Sequence, residues 1–499
     1  MVAEIFTSIF GALTPLATMI VLVAGALALP GIQMFGKKHV VSWAFALILT
    51  IFALVMDMCL LVDGYTGTYL GVTTTVYTTL MGMLFLIVLF FVVLVSNAST
   101  ETTRSHAGAY YSLLLGATTG MLFVVSSVDL LTIFVGVELT SISSYALVAL
   151  KRKDGRASEA AVKYAIIGGL STALTLYGIS MIYGLAGTTT IYELAAYVLT
   201  AESFNWAFAI GMVCMIAGYG FKIAAVPFHM WAPDVYEGAS APVSMFLATG
   251  SKKMGLAVFI QVFLFMFIMA GTLGTIYGEI AQYTFAILAA ITMTLGNVVA
   301  IAQNNIKRML AYSSIAQAGY ILIMMAVMTN EAMAAGTFHM FTHVFMKGGA
   351  FLIVGALICA GIGEKISDYK GLAKRAPFLA AAMMLFLFSL AGIPPLAGFT
   401  SKFFLFASAI GTPGATYDEW VWLAFVAILN SAISLYYYAR VVKAMYIEKG
   451  SETEKIKVPA VFLFAIVLCL VFVVILGVYP DLIYGYCEMA ANTLPHIVG

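Results

Sequence analysis

The sequence predicts an all-α membrane protein of about fourteen transmembrane helices, with two inverted five-helix repeats and broken helices in spans 7 and 12. Three observations lead there. Of 499 residues, 63% are hydrophobic and only 9% are charged, with a mean hydropathy of +1.03. Apolar runs recur along the whole chain, and basic residues fall almost entirely into alternate connections. Soluble domains carry roughly 25% charged residues. This composition therefore excludes a soluble enzyme, a secreted disulfide scaffold and a disordered chain.

The runs lie at 5–29, 40–62, 75–97, 108–127, 129–150, 162–186, 204–227, 241–270, 279–303, 308–328, 333–361, 376–410, 418–443 and 458–480. They are too long and too evenly apolar for barrel strands, so each reads as a helix that satisfies its own backbone. The stretch 188–203 is too polar to span and is expected along the surface. No Lys or Arg precedes the first run, which argues against a cleaved signal peptide. Net charge of +1 offers no basic surface for nucleic acid. Cys59, Cys214, Cys359, Cys469 and Cys487 form no CxxC or Cys/His cluster, so inert thiols are expected, with no metal and no cofactor in this chain.

Nineteen of the 24 basic residues lie between or beside an odd span and the next even one: Lys37, Lys38, Arg104, Lys151, Arg152, Lys153, Arg156, Lys163, Lys307, Arg308, Lys365, Lys370, Lys374, Arg375, Arg440, Lys443, Lys449, Lys455 and Lys457. The even-to-odd connections carry Asp63, Glu193, Glu202, Glu279, Glu331, Asp418 and Glu419 instead. The positive-inside rule makes the basic loops cytoplasmic and turns both termini outward. The organisation read from these spans is an N-terminal three-helix segment (1–107), two five-helix half-channel repeats (108–270 and 271–443), and a C-terminal helix and tail (444–499).

The other five cations, Lys222, Lys252, Lys253, Lys347 and Lys402, sit inside hydrophobic spans. Glu138 in span 5 and Asp57 near the outer end of span 2 supply acidic company. Each unpaired charge at a helix centre costs roughly 2.5–3.5 kcal/mol, so five would cost on the order of 12–17 kcal/mol. Such residues require a wet, partnered interior. A buried lysine whose carboxylate partner approaches and retreats can take and release a proton. Lys222, Lys252, Lys402 and Glu138 read as relay groups. Lys253, pointing to another face, is expected to be structural or snorkelling, and Asp57 to be solvated or helix-terminal.

Lys222 stands between Gly218, Gly220 and Pro227, and Lys402 follows Gly392-Ile393-Pro394-Pro395. Proline removes a backbone donor and glycine eases unwinding, so both spans should break near their lysine. Two interrupted spans five apart match an inverted repeat of spans 4–8 and 9–13. His339, His343 and Lys347 share one helix face at i, i+4, i+8. Two adjacent-turn histidines cannot bracket a haem iron, which leaves a titratable stripe or polar residues bonded between helices.

Several stretches carry a family resemblance: Gly136-Val137-Glu138-Leu139-Thr140-Ser141, the segment from Lys222 through Pro227-Phe228-His229-Met230-Trp231-Ala232-Pro233, Arg308-Met309-Leu310-Ala311-Tyr312-Ser313, and Gly392-Ile393-Pro394-Pro395. Across essentially its whole length the chain resembles the antiporter-like proton-translocating membrane subunits of respiratory complex I, a family that includes Mrp-type cation/proton antiporters and membrane-bound hydrogenases. Asp234-Val235-Tyr236-Glu237-Gly238-Ala239 and a lysine at 402 look most like subunit N. Subunit L would carry a long lateral helix beyond span 14.

The resemblance implies that Glu138 and Lys222 form a pair that opens and closes, that Lys252 bridges, that His343 continues the path and that Lys402 ends it. His339, Lys347 and Gln317 are secondary members. Where many relatives have a histidine, Gln317 cannot hold an extra proton, so relay there is expected to pass through water.

The function implied is proton movement without redox chemistry in this chain, driven by electron transfer to a quinone-like acceptor. Flavin and iron–sulfur clusters are expected in partner subunits, as are antiporter-like and small helical membrane partners. The location implied is a bacterial or archaeal cell membrane. The alternatives are a Mrp-type Na⁺/H⁺ antiporter subunit, a proton-pumping subunit of a membrane-bound hydrogenase, and a scaffold without transport, which would tolerate neutral replacement of the buried lysines.

Overall fold

Backbone groups in a bilayer have no water to bond, so apolar runs of this length must close their hydrogen bonds internally. In the computed structural model they do so as helices. The structure describes residues 7–35, 39–102, 106–151, 154–200, 204–266, 275–411, 418–450 and 454–493. Lys37, Lys38, Arg104, Arg152, Lys153 and Glu202 lie outside the described residues.

The N-terminal three spans are α1 (Ala17–Phe35), α2 (His39–Val62) and α3 (Val76–Ser96). Between α2 and α3 a small hairpin, unforeseen in the sequence, pairs β1 (Gly67–Tyr69) with β2 (Val72–Thr74) in antiparallel register, Thr68 opposite Thr73. Its turn places Leu70 and Gly71 at positive φ, the geometry that a two-residue hairpin needs.

The first repeat comprises α4 (Ala107–Ser126), α5 (Leu130–Ala149), α6 (Gly155–Ala186), the short α7 (Ile191–Thr200), α8 (Trp206–Ile223), α9 (Trp231–Gly238) and α10 (Ala241–Leu264). The second comprises α11 (Ile276–Ile301), α12 (Ile306–Val327), α13 (Asn330–Cys359), α14 (Pro377–Ala391), α15 (Ala397–Ile410) and α16 (Val421–Tyr446). The chain continues through α17 (Ala460–Val478) and α18 (Asp481–Thr493).

Thirteen helices among the described residues are long and apolar enough to cross a membrane, and the α14–α15 pair supplies the fourteenth span as two halves. Packing repeats in the same order: α4 lies on α5 and α6 on α8, as α11 lies on α12 and α13 on α15. The polar stretch expected at the surface forms α7, which buries Ile191, Leu194, Ala195 and Val198 on one face.

Helix starts follow local chemistry. Thr75, Asp129, Asp154, Asn205, Thr275, Asn305 and Thr329 each accept a bond from a first-turn amide at the start of α3, α5, α6, α8, α11, α12 and α13. Outward faces are apolar, with Ile48, Val135, Ile166 and Phe425 more than half exposed. By contrast, α10, α12 and α13 are buried almost throughout and form the inner row. All the lysines singled out within spans lie on or against this row.

Candidate functional site

Helix α8 ends one residue after Lys222. Ala224 turns left-handed (φ +55°), and its amide and that of Ala225 bond back to Phe221 and Gly220. The freed carbonyl of Phe221 also accepts the indole Nε1–H of Trp231 at 2.9 Å, while Val226 donates to Thr292 Oγ1 at 3.1 Å. The predicted break is therefore present and its loose backbone groups are tied. The Lys222 side chain is 3% exposed, and its Nζ has no hydrogen-bond partner among the described residues. It faces the rings of Tyr145, Phe221 and Tyr164 at 5.4, 5.5 and 5.6 Å. Half-buried Glu138 on α5 instead accepts the hydroxyl of Thr172 at 2.8 Å. Glu138 and Lys222 thus form no ion pair with each other in this structure.

Helix α10 is interrupted by two wider π turns, Leu247–Ser251 and Ile260–Leu264. Such turns expose backbone groups and often mark functional positions. Lys252 follows the first directly, is 1% exposed, has no hydrogen-bond partner at Nζ, and lies 5.6 Å from the ring centre of Tyr236. Two expectations need correction here. Lys253 does not snorkel, because α10 is enclosed on all sides and leaves that side chain 1% exposed. Asp57 is not solvated: its carboxylate presses on Gly82 of α3, is 5% exposed, and leaves Oδ2 without a partner.

On α13 the three-residue stripe is fully buried. His339 bonds Ser401 Oγ through Nδ1 (2.8 Å) and Gln317 Oε1 through Nε2 (2.9 Å). His343 has both ring nitrogens unpartnered, and Lys347 donates to Ser313 Oγ (2.6 Å) and Leu310 O (3.1 Å).

The second break leaves α14 at Gly392 (φ +93°) and restarts at α15, so Lys402 reaches back to the free carbonyl end of α14. Its Nζ donates to Leu390 O (2.8 Å), Ser431 Oγ (2.9 Å) and Ala391 O (3.3 Å), with the Tyr320 ring at 4.7 Å. The negative end of a helix dipole suits an ammonium. Beside Lys402 a cavity of about 330 Å³ lies among Phe399, Phe403, Phe406 and Ile428.

Sequence reasoning missed the neutral groups that link these residues. Ser313 bonds the Tyr438 hydroxyl, and Tyr437 donates to Asn297 Oδ1 at 2.9 Å. Asn297 donates to Tyr320 and to Asn430 of α16. Asn297 and Asn430 inside apolar runs are the one signal that could have exposed this network, since an asparagine amide in lipid needs a partner.

On the basic-loop face, an ion cluster holds α9. Asp234 receives Arg308 (2.6 Å) and Lys163 (2.7 Å), Glu237 receives Arg308 (2.9 Å), and Lys307, buried rather than in an open loop, bonds Ala239 O (2.8 Å) and Glu364 (3.0 Å). Burial works against ionisation of Asp234, but the Lys163 and Arg308 bonds outweigh it and hold the carboxyl below its usual range.

The family model for NADH:quinone oxidoreductase/Mrp antiporter membrane proteins matches residues 127–434. The chain is 41% identical over 450 residues to F(420)H(2) dehydrogenase subunit N of Methanosarcina mazei, covering 87% of this chain and 88% of that protein. It is 41% identical over 419 residues to NADH-quinone oxidoreductase subunit N of Desulforamulus reducens, covering 84% of each. Among solved structures, a chain of respiratory complex I from Thermus thermophilus superposes with a TM-score of 0.78 at 28% identity, over 94% of this chain and 98% of that one. A chain of an archaeal membrane-bound sulfane sulfur reductase gives 0.85 at 25%, over 97% and 98%. A chain of the Mrp complex from Dietzia shares the fold, with a TM-score of 0.84 at 19% identity over 97% and 98%. Broken spans, the enclosed central row and these likenesses agree, and the chain belongs to the NADH:quinone oxidoreductase/Mrp antiporter membrane family.

Proposed function

We propose that this chain is a proton-translocating membrane subunit of a complex I-like respiratory enzyme, with no redox chemistry of its own. One observation carries the reading. Lys222, Lys252, His343, Lys347 and Lys402 are enclosed along the inner helices of a fourteen-span bundle, and both interrupted spans direct a lysine into it. Enclosed charges in a membrane mark ion paths because their cost is otherwise unrecovered.

Protons enter from the basic-loop face, taken as cytoplasmic, and pass along Glu138/Lys222, Lys252, His343 and Lys402 to the face that carries both termini. Lys222 and Lys252 lack hydrogen-bond partners among the described residues, which calls for water within reach of them, since buried polar groups otherwise stay bonded. His339, Gln317 and Lys347 serve the later part of the path. The drive is charge rearrangement in neighbouring membrane subunits as electrons reach a quinone-like acceptor. The flavin and iron–sulfur clusters for that chemistry belong to partner subunits, and the relatives named as subunits N of F(420)H(2) dehydrogenase and NADH-quinone oxidoreductase support this assembly. A bacterial or archaeal cell membrane is the proposed location.

The test is proton uptake by the whole complex reconstituted in lipid vesicles. Lys222→Met and Glu138→Gln are expected to abolish pumping with assembly intact; normal pumping would refute the reading. Replacing a proton response by sodium movement in the same vesicles would favour the Mrp-type alternative.

A further inference from the structure

Lys222 and Glu138 are separated in this structure, and each has a substitute partner built from two facing helix stripes. On α5, Glu138, Ser141 and Tyr145 are spaced i, i+3, i+7; on α6, Tyr164, Gly168 and Thr172 are spaced i, i+4, i+8. The stripes interlock at Gly168, where any Cβ would collide with the Tyr145 hydroxyl. This close approach sets the Tyr145 ring beside Tyr164, edge to face at 4.6 Å between centres.

Tyr164 in turn stacks on Trp231 at 4.5 Å and 10°, and the Trp231 indole holds the Phe221 carbonyl at the end of α8. Four elements therefore build three ring walls around one amine. On its other flank, Gly255 of α10 lets the Lys222 stem approach, since a Cβ there would lie 2.9 Å from Lys222 Cβ.

We propose that Tyr145, Tyr164 and Phe221 form an aromatic cage that holds the Lys222 ammonium in its separated state, while Thr172 holds the Glu138 carboxylate. The inference rests on the proposed proton-translocating role of Lys222 and names the groups that position it. Ring faces attract a cation through their quadrupole but offer no basic lone pair, so the cage favours the charged amine without accepting its proton. The Thr172 hydroxyl likewise satisfies the carboxylate without neutralising it. Together they bring the separated and ion-paired arrangements close enough in free energy for a neighbour's charge to switch them. Removing the attraction of one ring should shift the balance toward the ion pair by about threefold to tenfold.

The experiment places phenylalanine and its mono-, di- and trifluorinated forms at position 145 of the whole complex in lipid vesicles. Fluorination drains the ring face while nearly keeping its shape. Protons moved per electron pair are expected to fall stepwise with each fluorine, measured against the unfluorinated Tyr145→Phe protein. Thr172→Ser should pump and Thr172→Val should lose several-fold. A flat fluorine series, with Lys222→Met still abolishing pumping, overturns the cage and leaves the proton-translocating reading standing. Full pumping by Lys222→Met overturns both. Tyr145→Leu, should it fail to assemble, is replaced by the fluorine series, in which the ring is retained.

Discussion

Lys402 and Gln317 donate to the same backbone oxygen, that of Leu390, at 2.8 and 3.1 Å. Leu390 is the last residue but one of α14, where the break at Gly392 frees its carbonyl from the helical ladder. The Gln317 Oε1 accepts the Nε2–H of His339 at 2.9 Å. One amide thus positions the histidine stripe of α13 and the terminal lysine around a single carbonyl, although an amide holds no extra proton itself.

Gln317→Leu should cut this link. Leaving a buried imidazole nitrogen and half a carbonyl unpaired costs about 1–3 kcal/mol of stability. Proton uptake by the reconstituted complex should fall because His339 and Lys402 lose their common positioning group, and Gln317→His should recover it. Unchanged uptake in the leucine variant would show that the route does not need Gln317.

Trp231 ties the end of α8, so Trp231→Phe should remove one of the two bonds to the Phe221 carbonyl, leaving that from Ala224, while keeping a ring against Tyr164. The expected loss is about 0.5–1.5 kcal/mol. A lowered thermal midpoint of the detergent-purified complex checks it; Trp231→Ala, which also loses the stack, should drop further.

Glu364 carries a pH-dependent part of the stability. Its burial opposes ionisation, but the Lys307 charge and hydrogen bond, with Asn305, outweigh that and hold the carboxyl below its usual range. A depressed folded pKa means the contribution is complete above the unfolded carboxyl pKa, about 4.3, and is lost as pH falls through the lower folded value. Glu364→Gln should cost about 2–3 kcal/mol at neutral pH, less than a fully buried pair because part of Glu364 meets water. Thermal midpoints measured from pH 7 down to pH 3 should converge for the two proteins; parallel curves would contradict the assignment.

At the N-terminal segment, Gly82→Ala would set a Cβ 2.8 Å from Asp57 Oδ2 and 3.2 Å from Leu122 Cδ2. Overpacking of this kind costs about 1–3 kcal/mol. Assembled yield should fall, and Asp57→Ala in the same chain should restore it by vacating the contested space. Additive losses in the double variant would show that the contact is not the cause.

The spans, their alternating loops and the two breaks were legible because each depends on local composition: lipid forces apolar runs into helices, and Pro and Gly interrupt them wherever the chain folds. The lysines within spans, from Lys222 to Lys402, stood out for the same reason, since a charge in an apolar run is conspicuous. What those residues touch was not legible. Asp57 looked peripheral by its place in α2, yet Gly82 on another helix admits its carboxylate to the interior. Lys253 was open to a structural or a snorkelling role, and only the enclosure of α10 on every side removes the second. Lys222 and Glu138 were read as a pair that opens and closes, but nothing in the sequence shows that in this structure Lys222 faces Tyr145 and Tyr164 while Glu138 accepts from Thr172. Ser313, Tyr437, Tyr438, Asn297 and Asn430 join only when helices distant in sequence pack together. The chain alone determined which groups are costly to bury, because transfer from water is a property of each side chain; tertiary packing decided their partners, because hydrogen bonds and ring contacts act only over a few ångströms.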